Sequence, residues 1–178
     1  MPKSVPLHHE RFTGWVSRHG AVLHKLSRAY APDAPSQGEL HQEMLVQLWR
    51  SVPQFAGAAK ESTWIYRVAL NTALTWQRGR RRRANHEVPQ AEPGESVSSG
   101  SPAPDVAHAR QDLLEHVFAA VRALPVGERS LVVLSLDGLS YQEIGDITGL
   151  SENHVGVALS RARTKLANNM KGIRDELR

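Results

Sequence analysis

The chain has 178 residues, a formal net charge of +4 and no cysteine, with an isoelectric point near 9.8. That length holds one ordinary domain or two small ones, and the missing cysteines exclude disulfides, thiolate metal sites and a catalytic thiol. No run is apolar enough for a signal peptide or a membrane span, so the chain is expected to be cytoplasmic, without membrane insertion.

Residues 1–9 read as a disordered tail. Phe12, Trp15, Val16, His19, Val22, Leu23, Leu26 and Tyr30 recur at helical spacing and predict a helix over residues 10–30, broken by Pro32 and Pro35. Ser36 and Glu39 are spaced as a capping box, opening a helix whose apolar face is Leu40, Met44, Leu45, Leu48 and Trp49. Its opposite face carries Glu39, His41, Gln42, Glu43 and Gln47, and Pro53 ends it. Residues 55–62 read as a loop, and a third helix from about Ser62 buries Ile65, Val68, Ala69, Thr72 and Trp76. Trp64 and Trp76 flank that stripe and are assigned to the core. From Lys60 to Arg83 the chain carries Lys60, Arg67, Arg78 and the run Arg80 to Arg83 against one acid, Glu61. The sign then reverses. Residues 84–109 are rich in Pro, Gly, Ser and Glu, bury too little to offset ordering entropy, and read as a flexible acidic linker.

A second helical unit is expected over residues 110–178. Leu113, Leu114, Val117, Phe118, Val121 and Leu124 mark its first helix, ended by Pro125. Leu131, Val132, Leu134 and Leu136 mark the next, closed by Asp137-Gly138. Ser140 and Glu143 then make a capping box, with Tyr141, Ile144 and Ile147 on one face. Gly149 suits a left-handed helix end, and Ser151 suits the cap of a last helix whose buried stripe is Val155, Leu159, Ala162 and Leu166. Two short helices joined by a glycine-containing turn form a helix-turn-helix, whose second helix enters the DNA major groove. An ordinary helical hairpin with a solvated basic face has the same pattern. No segment alternates at period two, so the fold class is all-α: two small helical domains joined by a linker.

The residues at 39–49, then Phe55, the stretch 63–74 and the arginine run resemble region 2 of bacterial RNA polymerase sigma factors. The run Leu139 to Ile144, leading to Ser160-Arg161-Ala162-Arg163, resembles region 4. Two such regions and a short linker are the layout of the extracytoplasmic-function (ECF) group of the sigma-70 family. The resemblance implies a transcription-initiation factor that binds core RNA polymerase and promoter DNA and is restrained by an anti-sigma factor. It assigns polymerase contact to Glu39, Gln42, Glu43 and Trp49. It assigns the −10 element to Phe55, Lys60, Ser62, Arg67, Asn71, Arg78, Arg80 and Arg81. It assigns the −35 element to Ser151, Asn153, His154, Gly156, Ser160, Arg161, Arg163 and Lys165. The acidic linker would thread the polymerase cleft.

The chain departs from the family pattern in three places. Gly156 and Ala158 stand where family members often carry cations, and Leu70 stands where an arginine is common. No phosphate-binding loop, nucleophile elbow or carboxylate pair is present, so intrinsic catalysis is not expected. His8, His9, His19 and His24 lack accompanying ligands, so neither metal nor cofactor is expected. Two other readings remain: a stand-alone helix-turn-helix regulator, and a sigma-like decoy that sequesters an anti-sigma protein.

Overall fold

Large apolar side chains at spacings of three and four make α1, Ser4–Tyr30, a core helix: Trp15, Val22, Leu23, Leu26 and Tyr30 are all buried. The structure, a computed structural model, describes residues 4–86 and 106–176. The helix therefore begins ahead of the expected residue 10, and residues 4–9 are not a disordered tail. Pro6 lies in the first turn, where its missing amide hydrogen costs nothing. The His9 ring meets the edge of Trp49 at 6.3 Å, which gives the added turn something to rest on.

Helix α2, Ala34–Ser51, is capped by Asp33, whose side chain accepts from the Ser36 amide at 2.9 Å. This corrects the expected Ser36–Glu39 capping box. Pro35 sits in the first turn of α2 instead of breaking the chain there, and a Pro at that position leaves Asp33, not Ser36, at the non-helical boundary. The Ser36 amide holds the Asp33 carboxyl below the ordinary carboxylate range. Pro53 falls in a short 3-10 turn, Val52–Gln54, that ends α2 as expected. Helix α3, Glu61–His86, then packs across α1 and α2 to close a three-helix bundle. It buries Ile65 and Ala69, and also Tyr66, Leu70 and Ala73 on a second side.

Helices α4 (Val106–Arg122), α5 (Val126–Leu136), α6 (Tyr141–Thr148) and α7 (Glu152–Glu176) form the second unit, with α7 touching the other three. The ends of the expected linker, 84–86 and 106–109, are helical, and residues 87–105 lie outside the described residues. Phe118 and Val121 are buried, but Leu113 and Leu114 are exposed, as is Leu136 at the end of α5. The capping box of α6 forms in both directions: the Glu143 amide donates to Ser140 Oγ at 3.2 Å, and the Ser140 amide donates to Glu143 Oε2 at 3.0 Å. Gly149 ends α6 with φ of +79°, a left-handed conformation that favours glycine.

The two units share a seam. Helix α1 packs on α4 and α5, and α3 packs on α6. Asp137, just past α5, accepts hydrogen bonds from Lys25 Nζ on α1 and from the Tyr66 hydroxyl on α3. Burial, and then the facing carboxylate, push the Tyr66 phenol well above its ordinary range. Tyr30, buried at the end of α1, reaches Ser130 Oγ at 2.5 Å and carries the Arg129 guanidinium over its ring at 5.2 Å. Arg28 lies over the Phe118 ring at 4.7 Å and donates to Glu115 at 2.7 Å. The apolar core is consequently continuous from one unit to the other.

Candidate nucleic-acid interface

The outward face of α7 is set by its buried one. Val155, Leu159 and Ala162 are fully buried, which turns Asn153, His154, Val157, Ser160 and Arg161 to solvent. The capped turn fixes where this helix begins. Ser151 Oγ accepts from the His154 amide at 3.4 Å and lies 2.9 Å from His154 Nδ1, so Ser151 acts as the helix cap as well as a surface group. Gly145 explains how the turn comes so close. A Cβ there would lie 2.6 Å from the Leu150 carbonyl oxygen, so the helix-turn-helix needs a glycine at that position. Its place five residues after Ser140 carried no signal that spacing alone could read.

Besides Ser151 and His154, three of the residues assigned to −35 contact are engaged within the chain. Gly156 is half-buried against Tyr141, where a Cβ would lie 3.3 Å from the ring. Its absent side chain therefore makes room for the α6–α7 packing, and Tyr141, expected inside, sits 40% exposed over it. Arg163 donates to Ser135 Oγ at 3.3 Å and to the Tyr141 hydroxyl at 3.5 Å. Lys165 pairs with Glu128 at 2.7 Å. Arg161 has no side-chain partner among the described residues and stands free for an anion.

The residues assigned to the −10 element divide in the same way. Phe55 is half-buried in an aromatic cluster, with ring centroids 5.5 Å from Trp15 and 5.7 Å from Trp64. It anchors the loop through these rings. Ser62 is half-buried near the start of α3. Lys60 pairs with Glu143 at 3.5 Å, and Arg67 Nε donates to the Asp146 carbonyl at 2.9 Å. Both residues thus meet α6 across the seam. Leu70, in the place of a family arginine, is buried. Arg80 lies over the Trp76 ring at 5.6 Å and donates to Ser36 Oγ at 3.2 Å, tying α3 back to α2. Arg78 donates to Thr75 Oγ1 at 3.1 Å, one turn away on its own helix, and is exposed, as are Arg81, Arg82 and Arg83.

Asn71 is exposed on a groove between α2 and α3 with a volume of about 700 Å³. Glu43, Gln47 and Arg50 line the α2 side, and Asn71, Thr75 and Trp76 line the α3 side. An amide that donates and accepts, beside an indole edge in an open groove, suits an extruded base. On the outer side of α2, Gln42 and Glu43 are exposed, and so are Val46 and Trp49, at 42% and 40%. Trp49 is flanked by Phe12, with ring centroids 5.3 Å apart. Val46 is the member of this surface that helical periodicity alone did not pick out, since it falls between the polar and buried stripes. Glu39 lines the end of the groove. Among the described residues no helix is long and apolar enough to cross a membrane, and no group of His, Asp and Glu is arranged to hold a metal ion.

Two family models match the chain in order. Residues 15–83 match Sigma-70 region 2, and residues 115–166 match Sigma-70, region 4. The ECF RNA polymerase sigma-E factor of Haemophilus influenzae is 29% identical over 85% of this chain and 80% of its own length. That of Escherichia coli is 29% identical over 88% of this chain and 84% of its own. The fold is shared with CnrH, solved in complex with the cytosolic domain of CnrY (TM-score 0.66, 24% identity, 92% and 90% coverage). It is also shared with the sigma factor RpoE, solved in complex with the anti-sigma factor NepR from Bartonella quintana (TM-score 0.67, 18% identity, 91% and 98% coverage).

Proposed function

Because this chain belongs to the ECF group of the sigma-70 family, we propose that it binds core RNA polymerase and sets where transcription begins, its first unit opening −10 DNA and its second holding −35 duplex. The carrying observation is the pair of exposed surfaces on one chain: the α7 face beside Arg161, and the α2–α3 groove with Asn71 and the arginine run. Opening a duplex costs a few kcal/mol per unstacked base, which a pocket and stacking partners offset. The α2–α3 groove supplies the pocket, with Asn71 at the base edge and Trp76 beside it. Arg78 and Arg81 to Arg83 contact phosphates and add affinity without reading sequence. The face formed by Gln42, Glu43, Val46 and Trp49 docks on polymerase, combining an apolar anchor with an acidic rim. The protein performs no catalysis of its own and works in the cytoplasm beside the polymerase.

Elements about 25 base pairs apart lie ~85 Å apart along B-DNA at 3.4 Å per pair. The two units meet directly across the α3–α6 seam, so productive binding separates them. Separation also frees Lys60 and Arg67 from α6 for DNA. An anti-sigma partner, of the kind named with the Bartonella quintana neighbour, restrains the protein by covering the α2 face or holding the seam shut. Transcription reconstituted with cognate core polymerase on a genomic library is the test. Start sites sharing −10 and −35 sequences support the assignment, and a library that yields no factor-dependent transcript overturns it.

A further inference from the structure

We propose that Val157 is the specificity-determining residue of the second unit and selects a thymine in the −35 duplex by contact with its 5-methyl group. The inference rests on the assignment of α7 to the major groove. On the outward face of that helix, Val157 is 47% exposed. Asn153 stands one turn before it and Arg161 one turn after, both exposed. Gly156 is packed on Tyr141, and the two nearby cations, though exposed, have partners within the fold: Arg163 donates to Ser135 and Tyr141, and Lys165 pairs with Glu128. The centre of the reading face is therefore an apolar side chain between two polar ones.

The major groove presents donors and acceptors at every base pair but only one apolar group, the thymine methyl. A valine pressed on the polar atoms of another base edge strips their water and returns no hydrogen bond, and the C5–H of cytosine offers it no methyl to bury. Pressed on thymine, it buries methyl against methyl. A β-branched side chain on a helix has one strongly preferred rotamer, so little side-chain freedom is lost on contact. Asn153 and Arg161 are then placed to contact the flanking bases or phosphates.

The test uses the full chain with core RNA polymerase and a −35 duplex selected from a randomised pool. Each thymine of the selected site is replaced in turn by deoxyuridine, which removes the methyl alone. The wild type is expected to lose affinity about fourfold at one thymine, equivalent to ~0.8 kcal/mol for one buried methyl-sized group. Val157→Ser is expected to bind the thymine and deoxyuridine duplexes equally. Val157→Ala, which adds no polar atom and favours the helix, serves as the second variant and should keep only part of the methyl sensitivity, since its shorter side chain buries less of the methyl. A wild type indifferent to every methyl, or variants that keep the same sensitivity, overturns the proposal while leaving the −35 assignment standing. Failure to enrich any duplex overturns that assignment and this proposal together.

Discussion

Asp137→Asn changes one atom at the seam and should shift the balance between joined and separated units. The Asp137 carboxylate accepts from the Tyr66 hydroxyl and from Lys25 Nζ, groups on two helices of the other unit. A hydrogen bond to a charged group contributes about 1.5–3 kcal/mol, and a neutral acceptor keeps roughly half of that, so the Tyr66 contact loses ~1 kcal/mol. The Lys25 side chain is 36% exposed and that of Asp137 14%, so solvent screens the pair and its loss adds at most ~1 kcal/mol. Together these lower the joined-to-separated ratio by roughly five- to thirtyfold, since each 1.4 kcal/mol is about a factor of ten. The native chain has no cysteine, so cysteines introduced at exposed Gln54 and Asn168 take a dye pair cleanly. Single-molecule energy transfer should show the low-transfer population rising in Asp137→Asn. Tyr66→Phe should cost less in that background than in the wild type, because the two side chains act as a pair. Unchanged populations, or fully additive single effects, would refute the role of Asp137 as a polar tie across the seam.

Gly145→Ala should destabilise the second unit by about 2–3 kcal/mol, because the new Cβ meets the Leu150 carbonyl at backbone distance; urea unfolding checks this. Replacing Arg81, Arg82 and Arg83 by Gln should weaken binding to single-stranded −10 DNA about equally for all sequences. The slope of log affinity against log salt should fall by ~0.7 for each phosphate contact removed, measured by fluorescence anisotropy. Acid should loosen the α1–α2 packing. Burial holds His41, stacked on His24 at 4.1 Å, below its ordinary value, and burial also lowers His19. Both groups are depressed in the fold, so their stabilising contribution is full above about pH 6.5 and declines as pH falls below it. His41→Phe should flatten that part of a thermal-melting profile against pH.

Helical periodicity was enough to place every described helix, because each has an apolar stripe that a partner must cover. Its boundaries failed where a partner supplied the reason. The α1 start moved to Ser4 through a ring contact with Trp49, and the α2 cap passed from Ser36 to Asp33 through the geometry that Pro35 requires. The candidate site was legible as residue types but not as availability. Phe55 has the chemistry to stack on a base, yet Trp15 and Trp64 hold it as a loop anchor. Arg163 and Lys165 have the charge to meet DNA, yet neighbours within the fold hold them.

An all-helical fold, the capped helix-turn-helix and the family were readable from the residues alone, since these depend on local spacing and on motifs a few residues long. Long-range packing was needed to show that Tyr66 and Asp137 meet at one seam, that Leu70 is buried, that Gly156 is a packing position, and that Val157 faces outward between Asn153 and Arg161. Each of these depends on which atoms from distant parts of the chain come within a few ångströms. Local periodicity says which face of a helix is apolar, but it does not say what fills the space beside it.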